Sequence, residues 1–391
     1  MSKKHFLLSL SLLIIILFPM NVLAQQRPKK KIIEYGWDVP YPDFVRDNIR
    51  DMEKRPFEGI IFRTKGFDHI FDTRPWKKEK LQPQLDTLAQ IKWKKFTDNF
   101  LTLYAASKWK MDWFNDEHWN VIVENMKLFS LAVRSGKCVG VCFDPEPYDT
   151  DPWVYPGPYK NKPFGQVCDQ VRCRGREFII ALQEHKPEIR ILSFFQLGLF
   201  GHIVDEPDPK LRQEKLRKQW MPLLPSFCIG MVEGAAPGTI LIDGNELAYY
   251  YESHHNFYHA YHLIRQRAQT LVPKKLRKKY NNQVQVGMAL YIDQALGKRT
   301  VQTLSHFMTA EQQLKFFEHN VYYALTTSDE YVWCYSERMN WWLPTEKVEK
   351  DRILPPGVEE ALISARQKYQ KGKPLGYDIK DMMEAARQKK K

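Results

Sequence analysis

The chain of 391 residues is 43% apolar and 27% charged, which excludes a disordered or collagen-like polymer and leaves a globular protein able to bury a large core. At roughly 150 residues per domain the length admits two or three domains, although an α/β barrel of more than about 250 residues folds as one unit. The formal charge of +13 is spread over dispersed Lys and Arg, with short runs only at Lys29 to Lys31, Lys274 to Lys279 and Lys389 to Lys391. That dispersal reads as a solvated surface rather than a nucleic-acid groove, while an anionic glycan stays compatible with the charge.

The chain opens on a secretory pattern. Lys3 and Lys4 precede an apolar run from Phe6 to Phe18, and Val22-Leu23-Ala24 places small residues before Gln25, which predicts a signal peptide over 1–24 and a secreted or periplasmic protein. Pro19 and Asn21 interrupt the run, short of the roughly 20 apolar residues of a membrane span, so no stable membrane insertion is expected after cleavage. Export also removes nucleic acid as an ordinary partner. The cysteines, among them Cys138 and Cys142 in one predicted strand and Cys168 and Cys173 in one helix, read as small buried thiols rather than a disulfide framework.

From Lys31 onward short β-type runs alternate with longer helical ones. The first strand runs from Lys31 to Trp37 with a helix over Asp43 to Lys54, and the second from Gly59 to Thr64 with a helix over Leu81 to Thr97. Asn99 to Ala106 is followed by Asp116 to Ser135, and Lys137 to Phe143 by Gln166 to Glu184. Ile189 to Phe195 leads to a polar helix over Pro209 to Gln219, and Thr239 to Ile242 to one over Glu252 to Leu271. Val284 to Ile292 precedes Ala310 to Leu325, and Tyr331 to Tyr335 precedes Gly357 to Lys371. Eight strands, each followed by a helix, predict a (β/α)8 TIM barrel, an α/β fold of one domain over 25–375 with a frayed basic tail over 376–391. A doubly wound open sheet is the alternative, but no G-x-G-x-x-G opens the first helix.

A barrel builds its site at the C-terminal ends of its strands, and these ends are acidic. Asp38 follows strand one, Asp144 and Glu146 strand four, Asp243 and Glu246 strand six, Asp293 strand seven and Glu337 strand eight. Counting alternate residues groups Cys138, Gly140, Cys142, Asp144 and Glu146 on one side of strand four, and Leu241 with Asp243 on strand six. Aromatic residues crowd the same loops, including Trp37, Tyr148, Trp153, Tyr249-Tyr250-Tyr251, Trp341 and Trp342. Flat rings stack on the apolar faces of sugars while acids and amides meet the hydroxyls; the competing reading is that the rings staple loops to the barrel.

The motifs Glu34-Tyr35-Gly36-Trp37-Asp38, Phe143-Asp144-Pro145-Glu146-Pro147-Tyr148, Ile242-Asp243-Gly244-Asn245-Glu246 and Tyr335 to Trp342 resemble strand-end signatures of the secreted TIM-barrel glycoside hydrolases, over roughly residues 32–370. Asp144-x-Glu146 is similar to the last three positions of the chitinase-type strand-four motif, in which the Glu is the acid and the Asp supports it. Val139 and Cys142 stand where that motif carries further aspartates. The α-galactosidase-like barrels pair acids after strands four and six, which would correspond to Asp144 and Asp243. The resemblance implies hydrolysis of an oligo- or polysaccharide by two carboxyl groups, one protonated and one ionised. Glu146 is then the expected proton donor, Asp144 its supporter or the nucleophile, and Asp243 or Glu246 the second carboxylate. Trp37, Asp38, Arg63, Tyr148, Asn245, Asp293, Glu337, Trp341 and Trp342 are the expected substrate contacts.

No cofactor or metal is expected. His255, His259 and His262 share one helical face, but H-E-x-x-H is absent. Two alternatives stand beside the hydrolase: a glycan-binding barrel without catalysis, and a metal-dependent hydrolase or polysaccharide lyase. No G-x-S-x-G elbow points to an esterase.

Overall fold

The computed structural model describes residues 28–106, 108–299 and 303–390; the expected signal peptide lies outside them. Nine strands form one sheet: β1 (Lys31–Gly36), β2 (Gly59–Phe62), β3 (Phe100–Tyr104), β4 (Gly140–Asp144), β5 (Arg190–Ser193), β6 (Ile240–Asp243), β7 (Val284–Val286), β8 (Met288–Tyr291) and β9 (Tyr331–Ser336). Every neighbouring pair is parallel, in the order β7-β6-β5-β4-β3-β2-β1-β9-β8. The strands are short and almost wholly buried, as expected of a parallel sheet covered by helices.

The two ends of this sheet are joined by one residue. Where a single seventh strand was expected over Val284 to Ile292, β7 pairs with β6, β8 pairs with β9, and only Gly287 lies between them. Its amide donates to the Asp243 carbonyl at 2.8 Å, and a Cβ there would sit 2.9 Å from the Ile242 side chain and 3.2 Å from that carbonyl. Glycine permits this close pass, and the outcome is a nearly closed parallel barrel of nine strands rather than the counted eight.

Twelve α-helices among the described residues surround the sheet. Most lie where the periodicity places them, with three corrections. The second helix is Lys78–Gln90 and stops before Ile91; the stretch expected to continue it is a loop whose Lys94, Lys95 and Phe96 amides all donate to one Glu53 carboxylate oxygen. The polar helix Pro209–Arg217 has no fully buried residue and rests only Leu216 on the core, whereas an unforeseen helix, Leu224–Gly234, buries nine consecutive residues from Leu224 to Val232. It packs so tightly on Phe164–Leu182 that a Cβ on Gly230 would lie 2.1 Å from the Arg172 carbonyl. The C-terminal tail is not frayed: Lys380–Lys390 is a helix that buries Met383 and Ala386.

Inside the barrel the filling changes along the axis. At the strand starts Lys31 bridges Asp98 at 2.7 Å and Glu330 at 2.8 Å, Arg190 reaches Glu330 at 2.5 Å, and the Tyr331 hydroxyl donates to Asp98 at 2.6 Å. At the strand ends the filling is aromatic: Phe194 and Trp333 stack at 4.5 Å and Tyr35 leans on Phe194 at 5.1 Å. Tyr35 and Phe194 of this layer line a large recess at the C-terminal mouth.

Candidate active site

The recess has a volume of about 460 Å³. Its acids arrive on three loops. Asp144, the last residue of β4, is buried and accepts the Glu146 amide at 2.9 Å. Pro145 and Pro147 flank Glu146 and fix the backbone around it, and the Trp153 indole anchors the loop by donating to the Pro145 carbonyl at 2.7 Å. The Tyr148 hydroxyl donates to Glu146. Asp144, Glu146 and Tyr148 all line the recess.

Beyond β6 the chain turns through Asn245, whose backbone is left-handed (φ 47°, ψ 59°) and whose amide group is held by the Tyr251 hydroxyl at 3.2 Å. The turn brings Glu246 to the recess, with its amide donating to the Phe194 carbonyl at 3.0 Å. Burial first, and the charge of Glu146 second, push Glu246 up to about 8. Burial likewise raises Asp144 well above the usual carboxylate range, with the charges of Glu146 and Glu246 adding to it. These are the conditions under which one carboxyl of a cluster stays protonated near neutral pH.

The fourth acid is Glu337, after β9. It accepts the Tyr291 hydroxyl and faces Arg299 at 3.7 Å, while Arg299 lies over the Tyr291 ring at 5.3 Å. Aromatic residues complete the walls. Tyr35, Tyr249, Tyr291 and Tyr335 form a packed group, with Tyr249 and Tyr335 stacked at 5.4 Å. Around the rim Trp37, Tyr148, Tyr250 and Trp220 are 70%, 66%, 56% and 54% exposed. Large rings left in water at one opening mark a binding surface.

The structure therefore brings together Asp144, Glu146, Tyr148, Glu246, Glu337 and Trp37, and leaves the other expected site residues outside the lining. Asp243 points away from the axis. The register Cys142, Leu192, Ile242 across β4, β5 and β6 puts Ile242 on the inner side with Cys142, so its neighbour Asp243 faces the helices. There it accepts the amides of Gly198 at 2.8 Å and Asn245 at 3.3 Å, and burial pushes it up to about 6 against those bonds. Asn245 is buried under the loop it turns. Asp293 accepts the amides of Glu337 at 2.7 Å and Arg338 at 3.1 Å, so it holds the loop that presents Glu337.

Asp38 accepts the Trp341 amide at 3.0 Å, and burial pushes it up to about 7. Trp341 is enclosed, donating to Ser336 Oγ at 2.7 Å and packing edge-on to Phe57, with Trp342 beside the same ring. Both tryptophans staple the last loop to the barrel. Arg63 donates to the Tyr41 hydroxyl at 2.5 Å and lies over that ring. Trp113 and Trp153 are staples too, packed on Phe71 and Phe227. Sequence reasoning missed Arg299, Phe194, Phe195, Leu199, Trp220 and Leu247 in the lining; the end of the fifth predicted strand at Phe194 and Phe195, and the position of Arg299 after the seventh, were the available signals.

All six cysteines are free, and no group of three or more His, Cys, Asp or Glu among the described residues is arranged to hold a metal ion. No protein-family model matches the chain, and no curated protein matches it.

Proposed function

We propose that the chain is an exported glycoside hydrolase, built on a (β/α)8 barrel in which β7 and β8 count as one strand broken at Gly287. The observation that carries this reading is the pair Glu146 and Glu246, delivered by separate loops into one aromatic recess, with the charge of the first helping to keep the second protonated. Hydrolysis of a glycosidic bond needs this division between a proton donor and an ionised carboxylate.

On this geometry the roles expected from sequence are reassigned. Glu246 is the proton donor to the leaving oxygen, because burial and the neighbouring Glu146 charge raise it to about 8. Glu146, steadied by the Tyr148 hydroxyl, attacks the anomeric carbon or activates water. Asp144 sits beneath Glu146, accepts its amide and fixes its loop. The rim rings stack on the apolar faces of the sugars, and Tyr249, Tyr291 and Tyr335 offer hydroxyls to the ring bearing the scissile bond. Export rests on the 1–24 pattern of the sequence.

The test is release of reducing ends from a panel of neutral, uronate-bearing and sulfated polysaccharides by the protein from Gln25 onward. At least one polymer is cleaved, and E146Q and E246Q each lower the rate by about 10²-fold or more. Release that survives both substitutions would overturn the assignment. Retention of a polymer with no release by the unaltered protein would make the recess a recognition site instead.

A further inference from the structure

Resting on the hydrolase reading, we propose that the substrate is an uncharged glycan chain and that uronate-bearing and sulfated polymers are rejected at the mouth. The overall charge of +13 suggests the opposite, so the distribution of charge decides. Among the described residues, Asp144, Glu146, Glu246 and Glu337 line the recess against one cation, Arg299. That guanidinium is already engaged, 3.7 Å from Glu337 and 3.4 Å from the Tyr250 hydroxyl. Among the described residues no Lys or His contributes to the lining.

One cluster of lysines lies at the opposite end of the barrel. Lys275, Lys278 and Lys279 border an open cleft formed by the segments that lead into β6 and β7, at the strand-start end of the barrel. The four residues of β6, at about 3.3 Å each, separate the two ends by more than the Debye length of about 8 Å at physiological salt. Their field is screened before it reaches the mouth.

Hydrogen-bond chemistry points the same way. An ionised carboxylate only accepts, and so does a sulfate or uronate group. A uronate in the recess would meet acceptors with no free cation between them, whereas a neutral sugar presents hydroxyl donors to the acids and apolar faces to the rim rings. Four carboxyl groups at one opening disfavour a further negative charge by like-charge repulsion in a half-enclosed site.

The experiment uses matched pairs: hexasaccharides of β-1,4-glucan, α-1,4-glucan and β-1,4-mannan, each with its counterpart oxidised to uronate at C6. Binding to E246Q, which keeps Glu146 and Glu337, is measured by calorimetry in dilute buffer. At least one neutral oligomer binds, and its oxidised form binds about tenfold more weakly or worse. The added substitution Glu337→Gln narrows that gap severalfold. Oxidised forms that bind as well as or better than the neutral ones, or a gap that ignores Glu337, would overturn the proposal, as would binding of no neutral oligomer. A neutral oligomer that is bound but never cleaved by the unaltered protein would sink the hydrolase reading and leave the charge selection standing. Preferential cleavage of a uronate polymer would do the reverse.

Discussion

Replacing Glu246 with Gln will make the protein more stable relative to the unaltered chain as pH rises. The reason lies in the enclosure of this carboxyl, which with the Glu146 charge lifts it from 4.5 to about 8. Because the folded value is raised, the stability linked to its proton is fully present below pH 4.5 and is lost as pH climbs toward 8, where the folded state must carry a confined charge that the unfolded chain hydrates freely. At about 1.4 kcal/mol per pH unit across that interval, the full effect is roughly 4 to 5 kcal/mol, and water reaching the open recess reduces it to about 2 to 4 kcal/mol. Gln at this position does not titrate. Urea unfolding of both proteins at pH 4.5 and pH 9 reads the contribution of Glu246 together with its coupling to Asp144, while titrating groups away from the recess are common to the two. The expected result is a difference in unfolding free energy that grows in favour of the variant by about 2 kcal/mol or more. A difference that stays constant with pH would refute the claim that Glu246 is held protonated.

Three further outcomes follow from the same geometry. Tyr148→Phe removes the hydroxyl donated to Glu146 and should lower kcat about tenfold or more with little change in KM, read by steady-state kinetics. Trp37→Ala and Trp220→Ala remove exposed rim rings; each should weaken oligosaccharide binding by about 1 kcal/mol, roughly fivefold, while the thermal midpoint stays within a degree or two. Asp243→Ala strips the acceptor from the amides of Gly198 and Asn245 and should cost about 2 to 4 kcal/mol in urea unfolding; an unchanged stability with abolished chemistry would return Asp243 to the catalytic pair.

Much of this arrangement can be read from the chain alone, because burial on both faces makes each strand a short apolar run and leaves its final acid conspicuous. Asp144 and its inward parity follow from Gly140 and Cys142 below it. Asp243 does not, since its direction depends on the register of β6 against β5, which no local pattern encodes. The left-handed turn at Asn245 then carries Glu246, rather than Asp243, to the recess. Leu224–Gly234 escaped notice because a helix buried all round has no polar face to set its period. Nor does composition separate Trp341, a sealed staple, from Trp37, an open platform: the same ring serves either purpose, and only the packing of Phe57 decides between them. The split of the seventh strand hangs on a single glycine whose neighbours come from β6.

In the proposed mechanism Glu246 delivers the proton and Glu146 acts on the anomeric carbon or on water. This division of roles is tested most directly by comparing two glycosides of the sugar released in the polysaccharide screen, one with an alkyl leaving group and one with a dinitrophenyl leaving group that departs without protonation. E246Q is expected to lose about 10²-fold or more on the alkyl glycoside while keeping most of its rate on the dinitrophenyl one, and E146Q to lose both. Equal losses on the two substrates in E246Q, or selective loss in E146Q, would contradict the mechanism.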